Sequence, residues 1–242
     1  MEEKLSDVKV SGSGSIGGGN YDEVKISGSA KINGNVNCNS YMCSGSSTAN
    51  GNITAKEIVK ISGTTKVHGD LNSGDLIVSG SSRTFGNVTA KKIKISGSSD
   101  IEGNVHTDSI DISGSVSIGE DCEAEHFHAR GGFEIAGLLN AGDIEIYMYG
   151  KCRVKDIGGE NITVKLGSGH FIHEMMNLFF TRGRLVTSII EGDNIYLEHT
   201  DAKIVRGNNI TIGPNCNIEN IEYKNQLNMD QSCKALCKKV DE

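Results

Sequence analysis

A glycine recurs at positions 12, 28, 45, 63, 80, 97, 114 and 131, at intervals of 16, 17, 18, 17, 17, 17 and 17 residues. In seven of these eight units a second glycine stands six residues later, at 18, 34, 51, 69, 86, 103 and 137; in the remaining unit Gly119 falls one position early. A short period built from Val, Ile, Ser and Gly is the mark of a β-solenoid, in which each repeat is one coil that buries its apolar side only by stacking on its neighbours.

The residues around each first glycine fix the coil. Four before it stand Val8, Val24, Tyr41, Val59, Leu76, Ile93, Ile110 and Phe127, and two before it Val10, Ile26, Cys43, Ile61, Val78, Ile95, Ile112 and Ala129. Four after it come Ile16, Ile32, Ala49, Val67, Thr84, Ile101, Ile118 and Ile135. Eight after it come Asn20, Val36, Ile53, Leu71, Val88, Val105, Cys122 and Leu139, and the tenth position is small (Cys38, Ala55, Ala90, Ala141). Paired inward positions two apart are strand periodicity. Three strands per coil predict a triangular prism, with glycines at two corners where the chain needs φ values that other residues resist. A helix is excluded because glycine recurs within every run of helical length.

Composition agrees with a narrow prism: aromatics make up 5% of the chain, Trp is absent and Pro214 is the single proline. A net charge of −7 argues against a nucleic-acid partner. The start, Met1-Glu2-Glu3-Lys4, lacks a basic segment followed by an apolar run, so the expected compartment is the cytoplasm. Cys38, Cys43 and Cys122 fall on inward positions and read as small core residues.

The expected organisation is a short N-terminal tail (1–7), a β-helix (8–166), an apolar helical or loop insertion (167–184), a second solenoid section (185–223) and a polar C-terminal tail (224–242) with weak helical spacing. In the insertion Phe171, Ile172, Met175, Met176, Phe179 and Phe180 are the candidate contact with a membrane or a cell-envelope partner. In the second section Ile195-Tyr196-Leu197 and Ile210-Thr211-Ile212 match at 15 residues, while Ala202-Lys203-Ile204 and Cys216-Asn217-Ile218 match at 14.

Laid out as coils, Val-Lys-Ile-Ser-Gly-Ser (24–29), Ile-Lys-Ile-Ser-Gly-Ser (93–98) and Ile-Asp-Ile-Ser-Gly-Ser (110–115), with Ile32-Asn33-Gly34-Asn35-Val36 and Ile101-Glu102-Gly103-Asn104-Val105, resemble the bactofilins, polymer-forming bacterial cytoskeletal proteins. The resemblance covers about residues 8–145, and the segment 192–223 is similar to the C-terminal part of longer bactofilin-like proteins of Gram-positive bacteria. It implies a right-handed β-helix that stacks end to end into filaments without nucleotide, as a cytoplasmic or membrane-associated scaffold in cell shape, wall synthesis or motility.

Physical chemistry points the same way. A solenoid ends in a coil with unpaired N–H and C=O groups, a template for another chain. The first coil, rich in small residues, is the expected assembly surface, with Val10, Ile16 and Tyr21 as its contacts. Self is therefore the expected partner, with no cofactor, metal or catalytic residue. His126-x-His128, with Glu123 and Glu125 near, reads as surface more readily than as a metal site, and Cys233-x-x-x-Cys237 is a weak pair. The rival class is a left-handed β-helix enzyme of the hexapeptide acyltransferase or carbonic anhydrase kind. Its strict six-residue aliphatic recurrence is broken here.

Overall fold

A computed structural model describes residues 5–167 and 183–240. The expected all-β parallel solenoid is what forms: the assigned elements are strands, and every strand pair is parallel. The chain divides into two units, Met1–Glu120 and Asp121–Glu242.

The N-terminal unit begins with three strands, β1 (Ser6–Val10), β2 (Ser13–Ile26) and β3 (Ser29–Cys43). Short and long strands then alternate: β4 (Ser46–Ala49), β5 (Ile53–Ile61), β6 (Thr64–Val67), β7 (Leu71–Val78), β8 (Ser81–Thr84), β9 (Val88–Ile95), β10 (Ser98–Ile101), β11 (Val105–Ile112) and β12 (Ser115–Ile118). Each long strand pairs with the next in register, so Ile61 lies on Val78 and Val78 on Ile95. Every inward column is thus a stack of like residues; Val24, Ile26, Ile32, Val59, Ile61 and Ile95 are 0% exposed. Each such side chain contributes about 1.5–3 kcal/mol of burial.

A sixth inward position, two residues after the first glycine, was hidden by polarity. Ala30, Ser47, Thr65, Ser82 and Ser99 are all buried there. Their hydroxyls bond to one another inside the core. Tyr41 donates to Ser47 Oγ at 2.8 Å, Ser47 donates to Thr65 Oγ1 at 3.0 Å, and Ser82 and Ser99 share a bond of 2.8 Å. Among the described residues no buried side-chain nitrogen or oxygen lacks a partner.

The glycine ladder has a different cause from the one expected. Among the glycines of the described residues only Gly19 and Gly34 have positive φ. At Gly28, Gly45, Gly63, Gly80, Gly97 and Gly114, an added Cβ would lie far inside contact distance of the carbonyl oxygen of the corresponding glycine one coil earlier. These corners are glycine because consecutive coils touch backbone to backbone. The second ladder is filled from below: the side-chain oxygens of Asn35, Asn52, Asp70 and Asn87 occupy the space where Gly51, Gly69, Gly86 and Gly103 would carry a Cβ. There they accept the backbone N–H of Asn52, Asp70, Asn87 and Asn104 at 2.9, 3.0, 2.8 and 2.9 Å. The repeated Gly-Asn or Gly-Asp pair is therefore one device, a cap from each coil and the vacancy that receives it.

The C-terminal unit contains β13 (Cys122–Ala129), β14 (Gly132–Met148), β15 (Lys151–Leu166), β16 (Arg184–Val186), β17 (Ile189–Leu197), β18 (Thr200–Ile212), β19 (Asn217–Met229) and β20 (Leu236–Lys239). Here β15 pairs directly with β16 and β17, Lys151 with Arg184 and Val164 with Leu197. β15 is therefore the direct stacking neighbour of the strands that follow residue 183. Side chains at the ends of these strands add to the contact. Glu198 accepts from Leu166 N–H at 3.2 Å and from Tyr196 O–H at 2.6 Å, and Arg184 forms a bidentate pair with Asp201.

Later coils shorten. Ile195 pairs with Ile210 and Gly192 with Gly207, the expected step of 15, but Ala202 pairs with Ile218, a step of 16 where the sequence match gave 14. In the polar segment after Tyr223 the described residues form strand and turn, not helix. β19 runs on to Met229, and β20 lies on Asn220–Tyr223. Its apolar residues mark solenoid columns, which two-residue periodicity in so short a segment fails to announce.

Candidate assembly surface

The first coil exposes what every later coil of its unit hides. Val8 and Val10 are half-buried in β1, as are Ile16 and Tyr21 in β2, whereas Val24, Ile26 and Ile32, the register partners of Val8, Val10 and Ile16, are buried. β1 pairs with the second half of β2, and Ser13–Asn20 pair with β3. Among the described residues no strand pairs with the other edge of β1 or of Ser13–Asn20. An uncovered apolar ring thus coincides with an unpaired backbone edge.

The local sequence shapes that ring. Register places Gly19 opposite Val36 and Asn20 opposite Asn37, so Gly19, not Asn20, holds the inward place in this coil. The Tyr21 ring lies against Gly19, and its hydroxyl donates to the Gly17 carbonyl at 3.0 Å. Asn20 points outward and accepts from Asn37 Nδ2 at 3.0 Å. Charge stays at the margin, where Lys9 lies 3.8 Å from both Asp7 and Glu23. Val10, Ile16 and Tyr21 share one end of the unit, which charge does not block.

The other sequence candidates separate. Phe171, Ile172, Met175, Met176, Phe179 and Phe180 lie outside the described residues, as do His170 and His173. His126 and His128 face outward; His126 Nδ1 is 3.1 Å from Asp143 Oδ2, and Arg130 donates to His128 Nε2 at 3.2 Å. Asp143 arrives from the next coil through the register of β13 with β14. Asp143 also heads an amide ladder in which Asn161, Asn194 and Asn209 each donate to the preceding member at 2.9 Å. Among the described residues no three of His, Cys, Asp and Glu are placed to hold a metal ion. Cys233 and Cys237 do not pair at helical spacing: Cys233 is buried in a turn and Cys237 is exposed on β20.

Burial makes the core thiols inert. Loss of solvation pushes Cys38, Cys152 and Cys216 up to about 11 and Cys122 up to about 12, against an ordinary value near 9.0. Sequence reading missed one concavity, a trough of about 740 Å³ floored by Gly159, Gly192 and Gly207. On its wall Arg206 pairs with Glu222 at 2.7 Å and Asn208 donates to Asp193 at 2.7 Å. Its glycines are required by the preceding coil, since a Cβ at Gly192 or Gly207 would strike the carbonyl of Gly159 or Gly192.

Against this geometry the comparisons are direct. The family model for bactofilin, described as polymer-forming cytoskeletal, matches residues 4–88. The chain is 49% identical over 226 residues to the uncharacterized protein YhbE of Bacillus subtilis (strain 168), covering 92% of this chain and 93% of that one. The chain belongs to the bactofilin family. A second B. subtilis relative, the uncharacterized protein YhbF, is 40% identical over 95 residues; the match covers 39% of this bactofilin but 37% of YhbF. No solved structure matches it. Among the described residues no helix of this bactofilin is long and apolar enough to cross a membrane. Matched residues 4–88 include the whole first coil with Val10, Ile16 and Tyr21.

Proposed function

We propose that this bactofilin is a non-enzymatic, self-assembling β-helical scaffold that polymerises by stacking copies on its first coil. The observation that carries the reading is the half-exposed ring of Val8, Val10, Ile16 and Tyr21 beside an unpaired strand edge. Burying such apolar surface stabilises at roughly 25 cal/mol per Å². An open β edge supplies the hydrogen-bond template that gives the contact direction. The family's description as polymer-forming and cytoskeletal supports the same reading. The scaffold acts in the cytoplasm, in cell shape, envelope organisation or motility, and its second partner class is a peripheral membrane or cell-envelope contact through Phe171, Ile172, Met175, Met176, Phe179 and Phe180.

Negative-stain microscopy of the purified protein at micromolar concentration tests assembly: filaments or linear oligomers are expected, and uniform small particles at every salt and concentration would refute it. Co-sedimentation with liposomes tests the second contact. Binding lost in Phe179→Asp with Phe180→Asp is expected, and equal behaviour of the two proteins rejects it.

A further inference from the structure

The last coil of the C-terminal unit is half covered. Asn220, Ile221, Glu222 and Tyr223 of β19 pair with Leu236–Lys239 of β20. Gln226–Met229, the other half of β19, pair with β18 on one side and, among the described residues, with no strand on the other. What β20 covers is core: Ile221 is 0% exposed and has Cys237 as its register partner. Beside it the apolar columns run out uncovered, with Leu227 half-buried and Met229 39% exposed.

β20 itself is lightly held. All four of its side chains are exposed, Leu236 to 75%. Its connection to β19 is anchored by one buried side chain, Cys233, whose thiol donates to the Gly213 carbonyl at 3.2 Å, in a turn closed by Asp230 and Ser232. Short length, exposed side chains and the lysines at 234, 238 and 239 are features that blunt a sheet edge against a further strand. Segments with little buried contact open at the low end of the local-stability range.

We infer that β20 is a displaceable strap over a second assembly edge, Asn220–Met229, and that the partner for this edge is a strand from another copy of the chain. The strap and the incoming strand compete for the same N–H and C=O groups of Asn220–Tyr223, so the strap restrains association at this edge. The inference rests on the reading that the chain self-assembles.

Two full-length variants test it. Cys233→Asp places a charge where the anchor is buried, and Leu236→Pro with Lys238→Pro removes ladder donors from β20 while leaving β19 intact. Both are compared with the unaltered chain by light scattering against concentration and by amide exchange at Asn220–Tyr223. Faster exchange there, with assembly beginning at a several-fold lower concentration, is expected. Assembly at the same or a higher concentration, with unchanged far-ultraviolet dichroism and faster exchange at those amides, overturns the inference. Failure of the unaltered chain to assemble at any concentration would count against the proposed function. The strap would then be judged separately, by whether the released variants associate, and monomeric variants would overturn it as well.

Discussion

Replacing Gly80 by alanine tests the backbone-to-backbone packing of the coils. A Cβ at Gly80 would run into the carbonyl oxygens of Gly63 and Ser62 and the Ser62 carbonyl carbon, all backbone atoms that no rotamer change can move. To restore ordinary contact the corner must open by more than an ångström. Three inter-coil hydrogen bonds span that gap: Ser79 N–H to Ile61 at 2.8 Å, Gly80 N–H to Ile61 at 3.2 Å and Ser81 N–H to Gly63 at 2.9 Å. Weakening them at about 1 kcal/mol each, together with about 1–3 kcal/mol for overpacking, gives a loss of roughly 4–6 kcal/mol. Gly12 is the matched control, because an added Cβ there meets nothing within 4 Å. Gly12→Ala is expected to stay within about 0.5 kcal/mol of the parent. Urea unfolding followed by circular dichroism measures both. A Gly80→Ala midpoint indistinguishable from that of Gly12→Ala would refute the steric account and return the ladder to a backbone-conformation explanation.

The interior hydroxyl chain predicts that Tyr41→Phe, which strips a donor from Ser47 Oγ, costs about 1–2 kcal/mol in the same assay, and less in a Ser47→Ala background. A native-state thiol titration at neutral pH is expected to find one fast-reacting cysteine, the exposed Cys237, with the six buried thiols appearing only on unfolding; two or more fast thiols would contradict the described burial. The folded-state pKa of each of four core thiols is raised, so their contribution to stability is complete below about 9 and is lost as pH climbs toward about 11 or 12. Unfolding midpoints should accordingly fall over that alkaline window, and less steeply in Cys122→Ala; equal slopes would reject the assignment.

The coil was legible in sequence because its columns are chemically pure: Ile93, Ile110 and their equivalents repeat one residue class every coil. The column of Ser47, Thr65, Ser82 and Ser99 was not legible, since a buried hydroxyl satisfied by other core hydroxyls looks in sequence like a surface residue. The reason for the glycines was likewise out of reach. A clash with a carbonyl 17 residues earlier, as at Gly97, is a property of stacked coils and leaves the same letter as a need for positive φ. At the first coil, sequence gave the inward place beside Tyr21 to Asn20, because the coil is one residue short and register, not spacing, assigns that place to Gly19. The tail misled for a related reason. Leu227, Met229 and Cys237 stack on Ile210, Ile212 and Ile221 at steps of 17, 17 and 16, and their spacing imitates a helix only while that register is unknown.

Sedimentation velocity across a concentration series, on the parent chain and on Val10→Asp, bears most directly on assembly through the first coil. The account predicts a parent whose sedimentation coefficient rises with concentration and a variant that stays a single small species with an unchanged dichroism spectrum. A variant that assembles as the parent does would contradict it.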